Sequence, residues 1–248
     1  MKQILLLGHQ GMLGNAINKY FLSVDQINVT TILPRWPSKK FKDKVLGFDG
    51  EYIINCIAAI PQKYDQFNVN YDLPCWLEEN SRKKIIYPNT DFEGLGSDYG
   101  KSKEDAFNFL QDKGKNTKMI KTSIIGHGNT KDYKVGLLDW FLGSQKEVYG
   151  FENVFWNGIT TLEWAKQSLK LINSWDLYEK NTSLSTNPIS KYELLKLFKK
   201  IYNKEIEVKV DKGKKRNQCM DGDFKLKDIE LQLIELKEFY EDSRHSRL

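Results

Sequence analysis

Cysteine is scarce in this sequence: 248 residues hold only Cys56, Cys75 and Cys219, widely spaced and odd in number. That argues against a disulfide framework or a zinc site, and a reducing, cytoplasmic setting with no metal is expected. Long apolar runs are missing too. None approaches the ~20 residues that cross a bilayer, so no membrane partner is expected. The start, "MKQILLLGHQG", has a short apolar run, but His9 and Gln10 follow it without a small-residue cleavage site. It reads as a buried first strand and not as a signal peptide. Charge of one sign is also in short supply. The net charge is +5, and the lysines are scattered among acids and asparagines. A nucleic-acid surface gathers basic residues on one face with aromatics between them, so no nucleic-acid partner is expected. Only "DKGKKRNQ", residues 211–218, is densely basic, and it reads as a loop. Internal repeats, low-complexity segments and linkers are absent as well, leaving a chain long enough for a substantial core.

A regular alternation of patterns fills that length. Residues 2–7 are a short continuous apolar run, as in a strand buried on both faces. Helical spacing follows, with Leu13, Ile17 and Phe21 on one side. "INVTTIL", "YIINCIAA", "KKIIYPNT" and "TKMIKTSIIG" read as further strands, with helical patterns between the later ones. Strands alternating with helices predict a parallel sheet covered on both faces, an α/β fold. The last third changes character. "TTLEWAKQSLKLINSW" and "SKYELLKLFKKIY" each open with a capping box, Thr160 with Glu163 and Ser190 with Glu193. "EIEVKV" alternates like a strand, and "IELQLIELKEFY" reads as a final helix.

Two stretches carry chemistry. "LLLGHQGMLG" places Gly8, Gly11 and Gly14 between the first strand and the first helix. Glycines there make the tight turn and let helix N-terminal amides approach a pyrophosphate. The second strand ends in "TILPRWPSKK", with no acid to hold an adenosine ribose. Arg35, backed by Lys39 and Lys40, points to a 2′-phosphate, hence NADPH, with NADH as the lesser cofactor. In "SDYGKSKEDAF", Tyr99 and Lys103 are four residues apart and share one helix face. An ammonium beside a phenol favours the phenolate, turning a weak acid near pKa ~10 into a usable proton donor and acceptor.

With these pieces the chain resembles the extended short-chain dehydrogenases/reductases, and among them the dTDP-4-dehydrorhamnose reductase group. "GHQGMLG" is similar to the group's phosphate loop and "IINCIAA" to its N-x-A-A segment. "YPNTDFEG" resembles its S-T-D-Y-V-F-D-G, "YGKSKEDAF" its Y-G-x-S-K, and "IKTSIIGHG" its R-T-S-x-x-Y-G. The resemblance implies a Rossmann-type doubly wound parallel sheet over residues 1–130 and a smaller α+β substrate lobe over 131–248, with some segments of the latter returning to the sheet. It implies Tyr99 as general acid–base, Lys103 as the partner that lowers its pKa and bonds the nicotinamide ribose, and Thr90 as hydrogen-bond donor to the substrate carbonyl. Cofactor contacts carry over to Gly8, Gln10, Gly11, Met12, Leu13, Gly14, Arg35, Cys56, Ile57, Ala58, Ala59 and Ile124. Substrate contacts carry over to Asp91, Trp156, Asn157 and Arg216, the last from the basic cluster and facing a diphosphate.

The activity implied is reduction of a nucleotide-linked 4-keto-6-deoxy sugar in surface-polysaccharide assembly, with a homodimer compatible with it. An epimerase or dehydratase of the same fold, or a non-catalytic dinucleotide-binding subunit, is the alternative. Dehydratases show an Asp-Glu pair directly after the threonine, whereas Phe92 separates Asp91 from Glu93 here. Two departures from the group's pattern stand out. The segment between Thr90 and Tyr99 is short, and residues 36–50 are too few for the usual strand and helix, so the outer strand is expected to be lost or truncated.

Overall fold

The computed structural model describes residues 1–90, 96–128 and 136–242. Its first half runs β1 (Lys2–Leu7), α1 (Met12–Leu22), β2 (Ile27–Thr31), α2 (Lys39–Leu46), β3 (Tyr52–Asn55), α3 (Val69–Asn80), β4 (Lys84–Asn89), α4 (Asp98–Lys113) and β5 (Thr117–Lys121). There follow β6 (Ile124–Ile125), α5 (Leu137–Gly143), β7 (Glu147–Trp156), β8 (Ile159–Thr160), α6 (Thr161–Asn173) and β9 (Asn181–Ser185). The chain closes with β10 (Ile189–Ser190), α7 (Lys191–Ile201), β11 (Glu207–Gln218), β12 (Phe224–Lys225) and α8 (Ile229–Glu241). Among the described residues no helix is long and apolar enough to cross a membrane.

The chain divides into two compact units, one of residues 1–121 with 167–182, the other of 122–166 with 183–248. Residues 167–182 belong to the first unit although they follow 122–166 in the sequence. In the first unit the sheet is parallel, with Ile4 beside Val29 and Tyr52, Ile54 beside Ile86, and Ile86 beside Lys118. The strand order is β12-β9-β5-β4-β3-β1-β2, where the end of β9 runs on into the second unit and pairs there with β12. Leu5, Leu7, Ile53 and Ile85 face Phe41 and Val45 of α2 and Leu73 and Leu77 of α3, which is why these strands read as continuous apolar runs. On the way from β2 to β3 the chain holds α2 and no strand. The outer strand is thus absent, and β2, with its polar "INVTT", forms the sheet edge.

Strand order reverses about β1, whose neighbours are β2 on one side and β3 on the other. Open α/β sheets bind ligands at the carboxyl ends of the strands flanking such a reversal. Gly8 follows β1 and Cys56 follows β3, so both sit at that point.

The second unit is α+β, with a three-stranded sheet in the order β10-β7-β11, a two-stranded sheet of β6 with β8, and helices α5, α7 and α8. In each capping box the hydroxyl half forms, while the Thr160 amide donates to Gln232 Oε1 at 2.9 Å and not to Glu163. Thr160 Oγ1 accepts from Glu163 N at 3.2 Å, and Ser190 Oγ accepts from Glu193 N at 3.1 Å. One expectation is corrected. The basic stretch 211–218 is not a loop but the second half of β11, which pairs with β7 as far as Trp156. Asp211 Oδ1 accepts from Gly213 N at 2.8 Å, a local turn that shifts the register between Asp211 and Lys215 without ending the strand.

Candidate functional site

The turn after β1 can be built only with glycine at two of its three glycine positions. Gly8 has φ +80°, and a Cβ there would lie 2.8 Å from the Cys56 carbonyl carbon. A Cβ on Gly14 would lie 2.1 Å from the Gly8 carbonyl oxygen, so helix and strand approach backbone to backbone. Gly11 is the N-cap of α1 and brings no side-chain cap, and the first turn holds no acid. The helix thus presents uncapped amides and the positive end of its dipole. Gln10 and Gly11 are exposed, Met12 is half-buried, and Leu13 is buried beneath them. Ile57 and Ala58, after β3, are half-buried, and Asn55 is wholly buried with its Nδ2 lacking a hydrogen-bond partner among the described residues. A narrow backbone cradle with an orphaned amide donor beside it fits a dinucleotide pyrophosphate. Arg35 is exposed beyond the end of β2, its carbonyl accepting from Ser38 N at 3.0 Å. Lys39 and Lys40 follow it in the first turn of α2, also exposed.

Helix α4 starts at the Ser97 cap, whose Oγ accepts from Gly100 N at 3.0 Å, and this places Tyr99 in its first turn. Tyr99 is half-buried with its ring edge-on to Phe67. One turn later Lys103 is 4 % exposed. Its Nζ donates to Tyr87 Oη at 2.9 Å and lies 4.6 Å from the centre of that ring. Tyr87 Oη in turn donates to the Asn70 carbonyl at 3.2 Å. The Asn70 side chain, wholly buried, accepts from Ala59 N at 2.8 Å, donates to Ala59 O at 3.0 Å and reaches Ser102 Oγ at 3.1 Å. Ser102 Oγ completes the network by donating to the Tyr99 carbonyl at 2.7 Å. Burial pushes the Cys56 thiol well above its ordinary range, while the Lys103 charge pulls it the other way, so this ammonium acts on the wall after β3.

Thr90 follows β4, is 9 % exposed, and donates its amide to Asn89 Oδ1 at 2.9 Å. Asp91 lies outside the described residues. The structure thus gathers Gly8, Gly14, Cys56, Ala59, Thr90, Tyr99 and Lys103 within one unit. Asn70, Tyr87 and Ser102 are members of the network that sequence reasoning missed; the available signal was Pro74, four residues after Asn70. The tyrosine–lysine spacing also recurs in Tyr192 and Lys196 on α7, where the lysine is exposed and bonds Glu193.

The residues carried over to the second unit are placed differently. Trp156 is 2 % exposed, donates Nε1 to Ser123 Oγ at 2.6 Å and has Lys191 Nζ 5.0 Å from its ring, so it is a core residue of that unit. Asn157 is buried and clamps Met220, accepting from its amide at 3.1 Å and donating to its carbonyl at 2.8 Å. Its amide is thereby committed to holding the chain after β11. Ile124 is half-buried in β6 opposite Ile159. Arg216 is a half-buried strand residue opposite Val154, and Lys212, earlier in β11, faces Glu152 at 3.8 Å. A buried group unforeseen in the sequence is His127, with Tyr202 Oη at 2.9 Å from Nε2 and Asp139 Oδ1 at 3.4 Å from Nδ1.

No protein-family model and no curated protein sequence matches the chain. Solved structures do. The dTDP-4-dehydrorhamnose reductase of Bacillus anthracis, determined in complex with NADP, superposes with a TM-score of 0.76 at 15% identity, covering 96% of this chain and 99% of that one. That of Clostridium acetobutylicum gives 0.73 at 17% identity, covering 95% and 98%. The chain has the fold of the sugar-nucleotide reductases. The same fold carries other reactions, as the dTDP-glucose 4,6-dehydratase of Bacillus anthracis in complex with NAD shows, with a TM-score of 0.70 at 16% identity over 98% of this chain and 97% of that one.

Proposed function

We propose that this chain is an NADPH-dependent reductase of a nucleotide-linked 4-keto-6-deoxy sugar, with NADH the weaker cofactor, serving surface-polysaccharide assembly. The observation that carries the reading is the placement of Tyr99 and the buried Lys103 one turn apart on α4, in the same unit as a βα turn whose close backbone approach only glycine permits. The backbone of residues 8–14 holds the diphosphate of the dinucleotide, Arg35 its 2′-phosphate, and Lys103 its nicotinamide ribose. When bound, the dinucleotide supplies a hydride to the C4 carbonyl carbon. Tyr99 gives its phenolic proton to the developing alkoxide oxygen, a positioned acid worth ~10²–10⁴-fold. The phenolate left behind is stabilised by the Lys103 charge and regains a proton from solvent. Thr90 donates a hydrogen bond to the same oxygen, which holds most strongly where water is excluded.

Mixing the protein with NADPH and dTDP-, GDP- or UDP-linked 4-keto-6-deoxy sugars, and following the absorbance of the reduced cofactor, tests this. Oxidation with at least one sugar is expected. Tyr99→Phe should lower the rate by ~10²-fold or more while leaving NADPH affinity nearly intact, because it deletes only the proton. NADPH binding without oxidation of any sugar would instead favour a non-catalytic binding subunit, and activity retained in Tyr99→Phe above a few per cent would overturn the catalytic assignment.

A further inference from the structure

We infer that Tyr87 is the positioning residue for Lys103, held in place by a helical carbonyl that Pro74 leaves open. The inference rests on the reductase reading for its consequence, but its geometry stands apart from it. Tyr87 is 1 % exposed, at the centre of β4, and packs against Ala106 and Leu110 of α4 and Met119 of β5. Its ring therefore cannot follow a moving partner. A lysine stem has four carbons and many rotamers, and a buried ammonium stays charged only where acceptors meet it. The Tyr87 hydroxyl supplies one acceptor at 2.9 Å, and the ring face adds a cation–π contact at 4.6 Å.

The hydroxyl can accept well only if its own proton is directed elsewhere. In helix α3 the Asn70 carbonyl would ordinarily accept from the amide four residues on, but residue 74 is proline and has no N–H. Tyr87 Oη donates to that carbonyl at 3.2 Å, which leaves its lone pairs toward Lys103. Asn70 also ties Ala59 and, through Ser102, the Tyr99 backbone into the same network. Position of the ammonium is thereby referred to both the cofactor wall and the proton donor.

The test compares Tyr87→Phe, which keeps the ring, with the unaltered chain. The readout is the proton–nitrogen NMR correlation of the Lys103 ammonium, assigned by its disappearance in Lys103→Met. A buried, hydrogen-bonded ammonium exchanges slowly and gives such a signal. Tyr87→Phe should displace or erase it, and should weaken NADPH binding about ten- to hundredfold, the worth of one hydrogen bond to a charged group. An unchanged ammonium signal with NADPH affinity within about twofold overturns the inference. If Tyr87→Phe does not fold, Pro74→Ala replaces it: the restored amide competes for the Asn70 carbonyl, and the same signal must move or the inference falls. Neither measurement requires turnover. Should Tyr99→Phe remain active, the reductase reading fails while the ammonium signal still decides the role of Tyr87.

Discussion

Gly14 and Arg35 show how far single residues can be read from a sequence. Three glycines at a regular spacing look equivalent, yet a Cβ on Gly11 would meet only Gly8 O at an ordinary 3.4 Å, whereas one on Gly14 would overlap that oxygen. Gly14→Ala should therefore force α1 away from β1, lowering the melting temperature and abolishing NADPH binding, and Gly11→Ala should lower only the binding. Thermal melts and fluorescence titration of both variants check this, and equal melting losses would contradict it. Arg35 is an exposed side chain whose purpose no contact among the described residues explains. Arg35→Ala should cost NADPH affinity far more than NADH affinity, as expected of a charge-assisted contact to a 2′-phosphate. Trp156 and Asn157 carry the opposite lesson. Their motif suggests substrate contacts, while their burial and their bonds to Ser123 and Met220 were not legible, because burial is a property of neighbours that lie far away in sequence.

At the scale of elements, local chemistry was legible wherever it was self-contained. The capping serines and threonines, the apolar strands and the alternation that gives a parallel sheet all follow from residues within a few positions of one another. The edge of β11 was not. Its turn residues suggest an end, while pairing with the ten residues of β7 carries the strand through them. Glu78 is another case. Nothing in the sequence singles it out, but on α3 it is 9 % exposed and accepts from Lys115 N at 2.6 Å, Asn116 N at 3.1 Å and Thr117 Oγ1 at 2.6 Å. It fixes the start of β5 to the end of α3. Glu78→Ala should destabilise the chain by about 2–4 kcal/mol, since it removes hydrogen bonds to a charged group and leaves amides unpaired. Urea unfolding of the variant reads this directly, and a change below about 0.5 kcal/mol, as for an ordinary surface residue, would refute it.

For the molecule as a whole, stability against acid has an identifiable contributor in the second unit. Burial pushes the Glu235 carboxyl up, but hydrogen bonds and charges from Lys166 and Lys227 outweigh it and hold the pKa below the ordinary 4.5. A depressed carboxylate stabilises the fold above its unfolded pKa and loses that contribution as pH falls through the folded value. Glu235→Gln should therefore flatten the decline of melting temperature below about pH 4.5, and an acid limb parallel to that of the unaltered chain would exclude the role. The sequence by itself determined the α/β class, the glycine turn after β1 and the one-turn spacing of Tyr99 and Lys103 on α4, because each rests on spacings within one strand, turn or helix. Only the tertiary structure decided that Lys103 meets Tyr87, that Asn70 joins three segments, and that the unit boundary falls at 121 with 167–182 returning. Those outcomes depend on which strands become neighbours in a sheet. Parallel pairing joins residues dozens of positions apart, and no local pattern records its partner.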